Sequence, residues 1–503
     1  MQKYINFTFI LGVLFALFIN SIDAKKTNKF SKQSKKEILN DGYYAIFVNT
    51  TTSDCLNKRE VQEEIVNSLV DEIHTLILGN VKTYQNPNVV EEMIHTEKLR
   101  KRDNEEAEFE VVYHLSSLDN RSVIGAFLSN DLIDYVQENQ LVYAITPNRS
   151  FKYTRSSNTN NIDYSKLYAN ARHNADFHLS LISQDNLTGK DLSKDYDTTY
   201  YPLGNAGKDV DIFIFDTAFS FDDSEYKNNN KRITQCVANL SYGRVEERRS
   251  EKFCFSASPK NHGYIVTDIA AGAVHGVASN ANVYGFVVEE GNPTIFSIFK
   301  GFELLSLRTT GKAVVNLSIG DYHSNIGKHE DLDYLHDLIK KLNDRGIIVV
   351  AAAGNDGDVV KRHETMETFY PCAFDEVICV GSTETPYLSY YDENENKEIY
   401  VNPYVKAGFS NYGDGVNIYA PGYVKYRFYT EYYGVEESST YNTSFSSPIV
   451  VGVIASIMSE NPNQKYNAES MKKELYRRSY KGVIIGEDNE ESNYFINNGA
   501  IQY

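Results

Sequence analysis

From Asp209 to the end of the chain, short apolar runs alternate with stretches of helical spacing, and that alternation leaves few folds open. Runs apolar at nearly every position suit strands buried on both faces, as in parallel sheets covered by helices. Strands are expected at 210–215, 283–288, 313–317, 347–352, 377–380 and 416–419, with helices at 266–274, 294–305, 331–343 and 448–459. The resulting fold class is α/β, a doubly wound parallel sheet with helices on both faces. Reactive groups in such sheets collect beyond the carboxyl ends of the strands.

Four segments of this region could meet at that edge. They are Asp216-Thr217-Ala218, Asn261-His262-Gly263, Ala353-Gly354-Asn355 and Tyr441-Asn442-Thr443-Ser444, the last running on to Pro448. Each has a plain structural use. Asp216 could begin a turn, His262 could sit idle before a helix, Gly354-Asn355 could end a strand, and Ser444 could cap a helix. Together they supply a carboxylate, an imidazole, a side-chain amide and a hydroxyl. An imidazole can take the hydroxyl proton and return it to a leaving amine, while the carboxylate fixes its tautomer. The Asn355 amide and the Ser444 backbone N–H could share the oxyanion that forms. The order Asp, His, Ser is one of three known chain orders for such a triad. Gly204-Asn-Ala-Gly207-Lys208 is no phosphate loop, because Pro202 stands at the required earlier glycine and Asp209 follows the lysine.

On these motifs the chain resembles the subtilisin-like serine proteases. The stretch at Gly276-Val-Ala-Ser279 and Val315-Asn-Leu-Ser318-Ile319-Gly320 extend the likeness, as do Phe409-Ser-Asn-Tyr-Gly413 and Ile418-Tyr-Ala-Pro-Gly422, so that it spans 210–501. The resemblance implies Asp216, His262 and Ser444 as catalytic residues, Asn355 in the oxyanion hole, and Ser318, Ile319 and Gly320 as the edge that binds substrate backbone. Three positions depart from the family pattern: Ala218 stands at a usual glycine, Asp268 at another, and Asn442 at the glycine two residues before the serine. They motivate an alternative, a catalytically inactive scaffold that binds peptides or protein partners. Asn442 is expected to tolerate positive φ better than most residues.

Ahead of this region lies a smaller unit. Residues 43–48 alternate like a strand, 61–78 carry helical spacing, 109–113 and 141–145 read as strands, and 126–136 as a helix. That is a small ferredoxin-like α+β unit. Given the resemblance, it corresponds to the inhibitory propeptide of subtilisins, cut off within 148–156 by the enzyme itself. The first residues read as a signal peptide: Lys3, an apolar run over 5–18, and Ile22-Asp23-Ala24 as cleavage site. The expected organisation is therefore 1–24 signal peptide, 25–41 disordered basic lead-in and 42–153 propeptide domain. A linker and lead of the mature protease covers 154–208, and the catalytic domain 209–503.

Secretion favours disulfides among the five cysteines. Near-neighbour pairs Cys236–Cys254 and Cys372–Cys379 are the simplest arrangement, though four cysteines allow three pairings. Cys55 would leave with the propeptide. Sequons offer Asn49, Asn120, Asn148, Asn186 and Asn239 as glycan acceptors, with Asn442 discounted as buried. No metal site is read from the residues: there is no CxxC, and His363-Glu-Thr-Met-Glu367 lacks a second histidine. No cofactor is expected. Subtilisins often bind structural calcium, but no ligand set can be assigned. The formal net charge of -18 argues against nucleic acid. The expected partners are polypeptide substrates and the protein's own propeptide, with no membrane attachment after signal removal and an extracellular location.

Overall fold

The computed structural model describes residues 41–51, 58–103, 110–153, 171–188, 190, 192, 196–222, 225–226, 232–246, 253–254, 262–289, 293–309, 311–384, 389–392, 397–400, 403–430 and 434–500. The signal segment, the lead-in through residue 40, Cys55 and residues 154–156 lie outside them.

A ten-stranded mixed sheet dominates the described residues. Its centre is parallel: strand Asp211–Asp216 lies between Asn282–Val287 and Ala313–Leu317, and Ile347–Ala352, Val377–Thr383 and Ile418–Pro421 follow in order. Val, Ile, Phe and Ala fill these strands because helices cover both faces, so neither face meets water. The helices are His262–Ala271, Ile295–Arg308, Glu330–Asp344, Thr443–Glu460 and Ala468–Arg478. Thr443–Glu460 is the one described helix long and apolar enough to cross a membrane, yet it is 89% buried as the central helix of this core.

The N-terminal module forms a four-stranded antiparallel sheet in the order Val112–Leu118, Arg121–Leu128, Gly42–Asn49, Val142–Pro147. Helices Lys58–Gly79, Pro87–Asp103 and Asn130–Gln137 complete it. The α+β class is the one expected, but the fourth strand, Arg121–Leu128, was not: it takes residues 126–128, and the helix starts only at Asn130. Arg121–Leu128 is buried between two neighbouring strands, and an apolar run of that kind carries no period that separates strand from helix.

This module packs on the main domain through polar and aromatic contacts. Arg121 pairs with Asp337 at 2.7 Å, and Phe47 meets the Tyr334 ring edge-on at 5.8 Å. The Tyr113 hydroxyl donates to the carbonyl of Tyr242. Tyr242 and Gly243, with φ of +49° and +77°, form the two-residue turn joining Thr234–Ser241 to Arg244–Glu246. A Cβ at Gly243 would lie 2.2 Å from Leu115 of the N-terminal module, so only glycine lets the turn approach it.

Cys372 and Cys379 are bonded, as expected. Cys236 is disulfide-bonded as well, and the side chain of Cys254 lies outside those described. Asn239 is 6% exposed within the sheet, which makes it a poor glycan acceptor, contrary to the sequence expectation; Asn442 is buried, as expected.

Candidate active site

Asp216 closes its strand at the carboxyl edge of the sheet and is fully buried. Its Oδ1 accepts the Thr217 backbone N–H at 2.7 Å. His262 opens the next helix, and its Nδ1 lies 2.8 and 2.9 Å from the two Asp216 oxygens. A carboxylate only accepts, so the proton sits on Nδ1 and the Nε2 lone pair is left as the basic site. The approach is close because residue 263 is glycine: a Cβ there would meet the Ala218 carbonyl at 2.7 Å and Asp216 Cβ at 2.9 Å. Ala218 itself is accommodated in the core.

Ser444 is the second residue of Thr443–Glu460, a helix starting five residues earlier than the sequence suggested. Pro448 therefore lies inside the helix rather than at its first turn. Proline has no N–H to give the carbonyl four residues before it, here that of Ser444. Ser318 Oγ fills the gap, donating to the Ser444 carbonyl at 2.8 Å. Asn316 and Ser447 hold Ser318 at 2.8 and 3.1 Å, all of them buried. The Ser318 side chain thus anchors the serine helix. Its carbonyl accepts the Ser444 hydroxyl at 3.3 Å, and the His262 ring packs 5.4 Å from Phe445.

Asn442 has φ of 170°, which is extended backbone open to any residue, so the asparagine needs no tolerance of positive φ. The next residue does more than its sequence suggested. Thr443 donates its backbone N–H and its hydroxyl to Asn355 Oδ1, at 2.9 and 2.8 Å. With Oδ1 held twice, the amide cannot flip. Its Nδ2 is buried and has no hydrogen-bond partner among the described residues. Gly354 takes φ of +102°, and a Cβ there would sit 2.3 Å from Asn411 Nδ2. Asn411 ties down the same loop, donating to the Ala353 carbonyl at 2.9 Å and accepting the Asp356 and Asp358 N–H groups. Neither Thr443 nor Asn411 is given a role by the sequence, although both lie in stretches that carry the family likeness.

The edge at Ile319–Gly320 is occupied by the chain itself. Lys152–Tyr153 pairs antiparallel with it, Tyr153 opposite Ile319 and Lys152 opposite Gly320. Lys152 reaches Asp321 at 3.0 Å.

Asp268, the third departure, joins a buried ionic cluster at the far end of the histidine helix. Its Oδ2 accepts the Arg427 backbone N–H at 3.0 Å and lies 3.3 Å from His275 Nδ1. Asp176 faces the other ring nitrogen at 3.1 Å. Burial opposes the His275 charge, but the two carboxylates outweigh it and hold the imidazole up at about 10. Burial, then the Asp268 charge, pushes Glu225 up to about 7. Glu225, Asp268 and His275 place ligand-type atoms within 4.8 Å of one another. Calcium takes oxygen ligands, whereas one donor here is an imidazole, and Arg427 Nη1 already stands 3.5 Å from Glu225. The donor set does not fit calcium.

Comparisons with known proteins identify the family. The sequence profile of the subtilase family matches residues 207–495. The subtilase-type proteinase RRT12 of Saccharomyces cerevisiae is 24% identical over 383 residues, covering 69% of this chain and 68% of that protein. Subtilisin BL of Lederbergia lenta is 30% identical over 192 residues, covering 38% of this chain and 58% of its own length. Among solved structures, the epidermin leader peptide processing serine protease of Staphylococcus aureus superposes with a TM-score of 0.55 at 16% identity. That match covers 92% of this chain and 98% of the other, a likeness of fold.

Proposed function

Because this chain belongs to the subtilase family, we propose that it is a secreted serine endopeptidase made as a self-processing zymogen. The observation that carries this reading is the pairing of His262 Nδ1 with both Asp216 oxygens, which leaves Nε2 as the base. Ser444 is the nucleophile: its Oγ attacks the substrate carbonyl while His262 Nε2 takes its proton. The proton then goes to the leaving amine, and water repeats the sequence on the acyl-enzyme. Asn355 Nδ2 and the Ser444 backbone N–H stabilise the oxyanion in both steps. The start of the serine helix adds favourable potential where that charge forms.

The N-terminal module, residues 42–153, is the propeptide. Its last described strand occupies the edge where a substrate backbone would pair. The self-cleavage point then falls just past Tyr153, inside the 148–156 window. Residues 1–24 direct secretion. Side by side, the native chain and Ser444→Ala should differ: native protein shortens to a form beginning at residue 154 or 155, and the variant stays full length. Equal, full-length migration of the two would instead favour the inactive scaffold.

A further inference from the structure

We propose that Asp331, with His323 and His329, forms a subsite that selects polypeptide substrates carrying an arginine two residues before a buried aromatic anchor, as Arg149 stands two residues before Phe151. This rests on the endopeptidase reading and names a substrate class for it.

The segment in the cleft lies as a strand between two edges. On one side the Arg149 carbonyl accepts the Ile295 N–H at 2.9 Å, Ser150 bridges antiparallel to Thr294, and the Phe151 N–H donates to the Pro293 carbonyl at 2.7 Å. On the other side Lys152–Tyr153 pairs with Ile319–Gly320. Backbone makes these bonds, so any extended peptide can form them, and selection falls to the side chains. Phe151 is 1% exposed with its ring edge-on 5.7 Å from His323, which fixes the register of the segment.

Arg149 sets each of its three nitrogens against a residue of the main domain. Its Nη2 donates to His329 Nδ1 at 2.9 Å, its Nη1 faces His323 Nδ1 at 3.5 Å, and its Nε pairs with Asp331. A planar guanidinium presents donors in three fixed directions, and a lysine ammonium has no such fork. The Asp331 side chain is fully buried, and neither of its oxygens has a hydrogen-bond partner among the described residues. A buried carboxylate deprived of its cation is costly. The acceptors at 323–331 belong to the catalytic domain, whereas the arginine arrives with the segment in the cleft. Departure of the N-terminal module therefore leaves Asp331 to favour the next chain that brings a guanidinium to the same place.

Lys152 reaches Asp321 at 3.0 Å, but its side chain is 67% exposed. An exposed pair of that kind contributes little, so losing the lysine should cost less than about 5-fold in kcat/KM. Truncating one partner of a desolvated, hydrogen-bonded charge pair costs far more, about 20-fold or more for the arginine.

The test uses the processed native protein and a quenched fluorescent peptide with the sequence of residues 147–158, Pro-Asn-Arg-Ser-Phe-Lys-Tyr-Thr-Arg-Ser-Ser-Asn. Arg149→Gln in the peptide should lower kcat/KM about 20-fold or more, and Lys152→Gln less than about 5-fold. In the Asp331→Asn enzyme the preference for the arginine peptide should shrink to less than about 3-fold. Equal hydrolysis of the arginine and glutamine peptides overturns the proposal and needs no enzyme variant; so does an arginine preference kept by folded Asp331→Asn protein. A second arm does not depend on hydrolysis. The full chain with Ser444→Ala and a foreign protease site within 157–165 is nicked with that protease, and the peptides compete with its labelled N-terminal fragment. The arginine peptide should displace the fragment at a concentration about 20-fold or more below that of the glutamine peptide, and equal displacement overturns the subsite. Failure of the endopeptidase reading shows separately, as a native chain that stays unprocessed and cleaves neither peptide, and the competition then decides the subsite alone.

Discussion

Thr443→Val replaces a hydroxyl by a methyl of nearly the same size, so what it removes is the 2.8 Å hydrogen bond to Asn355 Oδ1 and the 3.3 Å bond from the Gly354 N–H. The backbone N–H of residue 443 still holds Asn355 at 2.9 Å. A buried hydrogen bond contributes about 1 kcal/mol net, and stranding a donor raises the loss to roughly 2 kcal/mol. If that energy serves to aim the amide at the oxyanion, it appears in the transition state and not in substrate binding. The expected effect is a fall in kcat of about 5- to 30-fold with KM within about 2-fold. The ceiling is outright loss of the donor, about 10²–10³, a figure measured in a subtilisin. Steady-state kinetics on a chromogenic peptide anilide gives both constants. The decisive arm repeats the substitution on Asn355→Ala, where no amide remains to be aimed and Thr443→Val should cost less than about 2-fold. Equal losses in both backgrounds would refute the positioning role.

Other substitutions test the remaining parts. Asp216→Asn should lower kcat about 10⁴-fold with little change in melting temperature, because an amide can hold the imidazole in the wrong tautomer. Gly263→Ala must relieve contacts of 2.7 and 2.9 Å against backbone and Asp216, so urea unfolding should show a loss of about 1–3 kcal/mol together with lost activity. His275 is raised to about 10 when folded, so its stabilisation is complete below its ordinary 6.5 and disappears as pH rises through 10. Unfolding free energy should therefore fall between pH 7 and 10, by at most about 1.4 kcal/mol per pH unit from this group, and Asp268→Asn should flatten that slope.

Much of the fold was legible because its signal is local. Strands Ala313–Leu317 and Ile347–Ala352 match their apolar runs end to end, since a strand buried on both faces has only one composition open to it. The start of the serine helix was misread because Pro448 looks like a first-turn proline. Its place inside the helix depends on Ser318, 126 residues before Ser444, supplying the missing donor. The paired strands Tyr423–Thr430 and Gly434–Tyr441 were also missed, although Tyr423-Val-Lys-Tyr-Arg-Phe428 alternates enough to have suggested the first. Asp216, His262, Asn355 and Ser444 could be named from motif and chain order. Geometry joins Asp216 to His262 and Asn355 to the residue before Ser444. The Asp176, Glu225, Asp268, His275 and Arg427 cluster was not legible, because charges scattered over 250 positions carry no periodic signal. Asp268, noticed only as a missing glycine, is accounted for by that cluster.

The central claim is that Ser444 is a nucleophile activated by His262. Mass spectrometry of the processed protein after treatment with an active-serine phosphonate addresses it most directly. The expected result is a single covalent adduct on Ser444, absent from the same protein carrying His262→Ala. Processed, folded protein that takes up no label, or labels equally well without the imidazole, would contradict it.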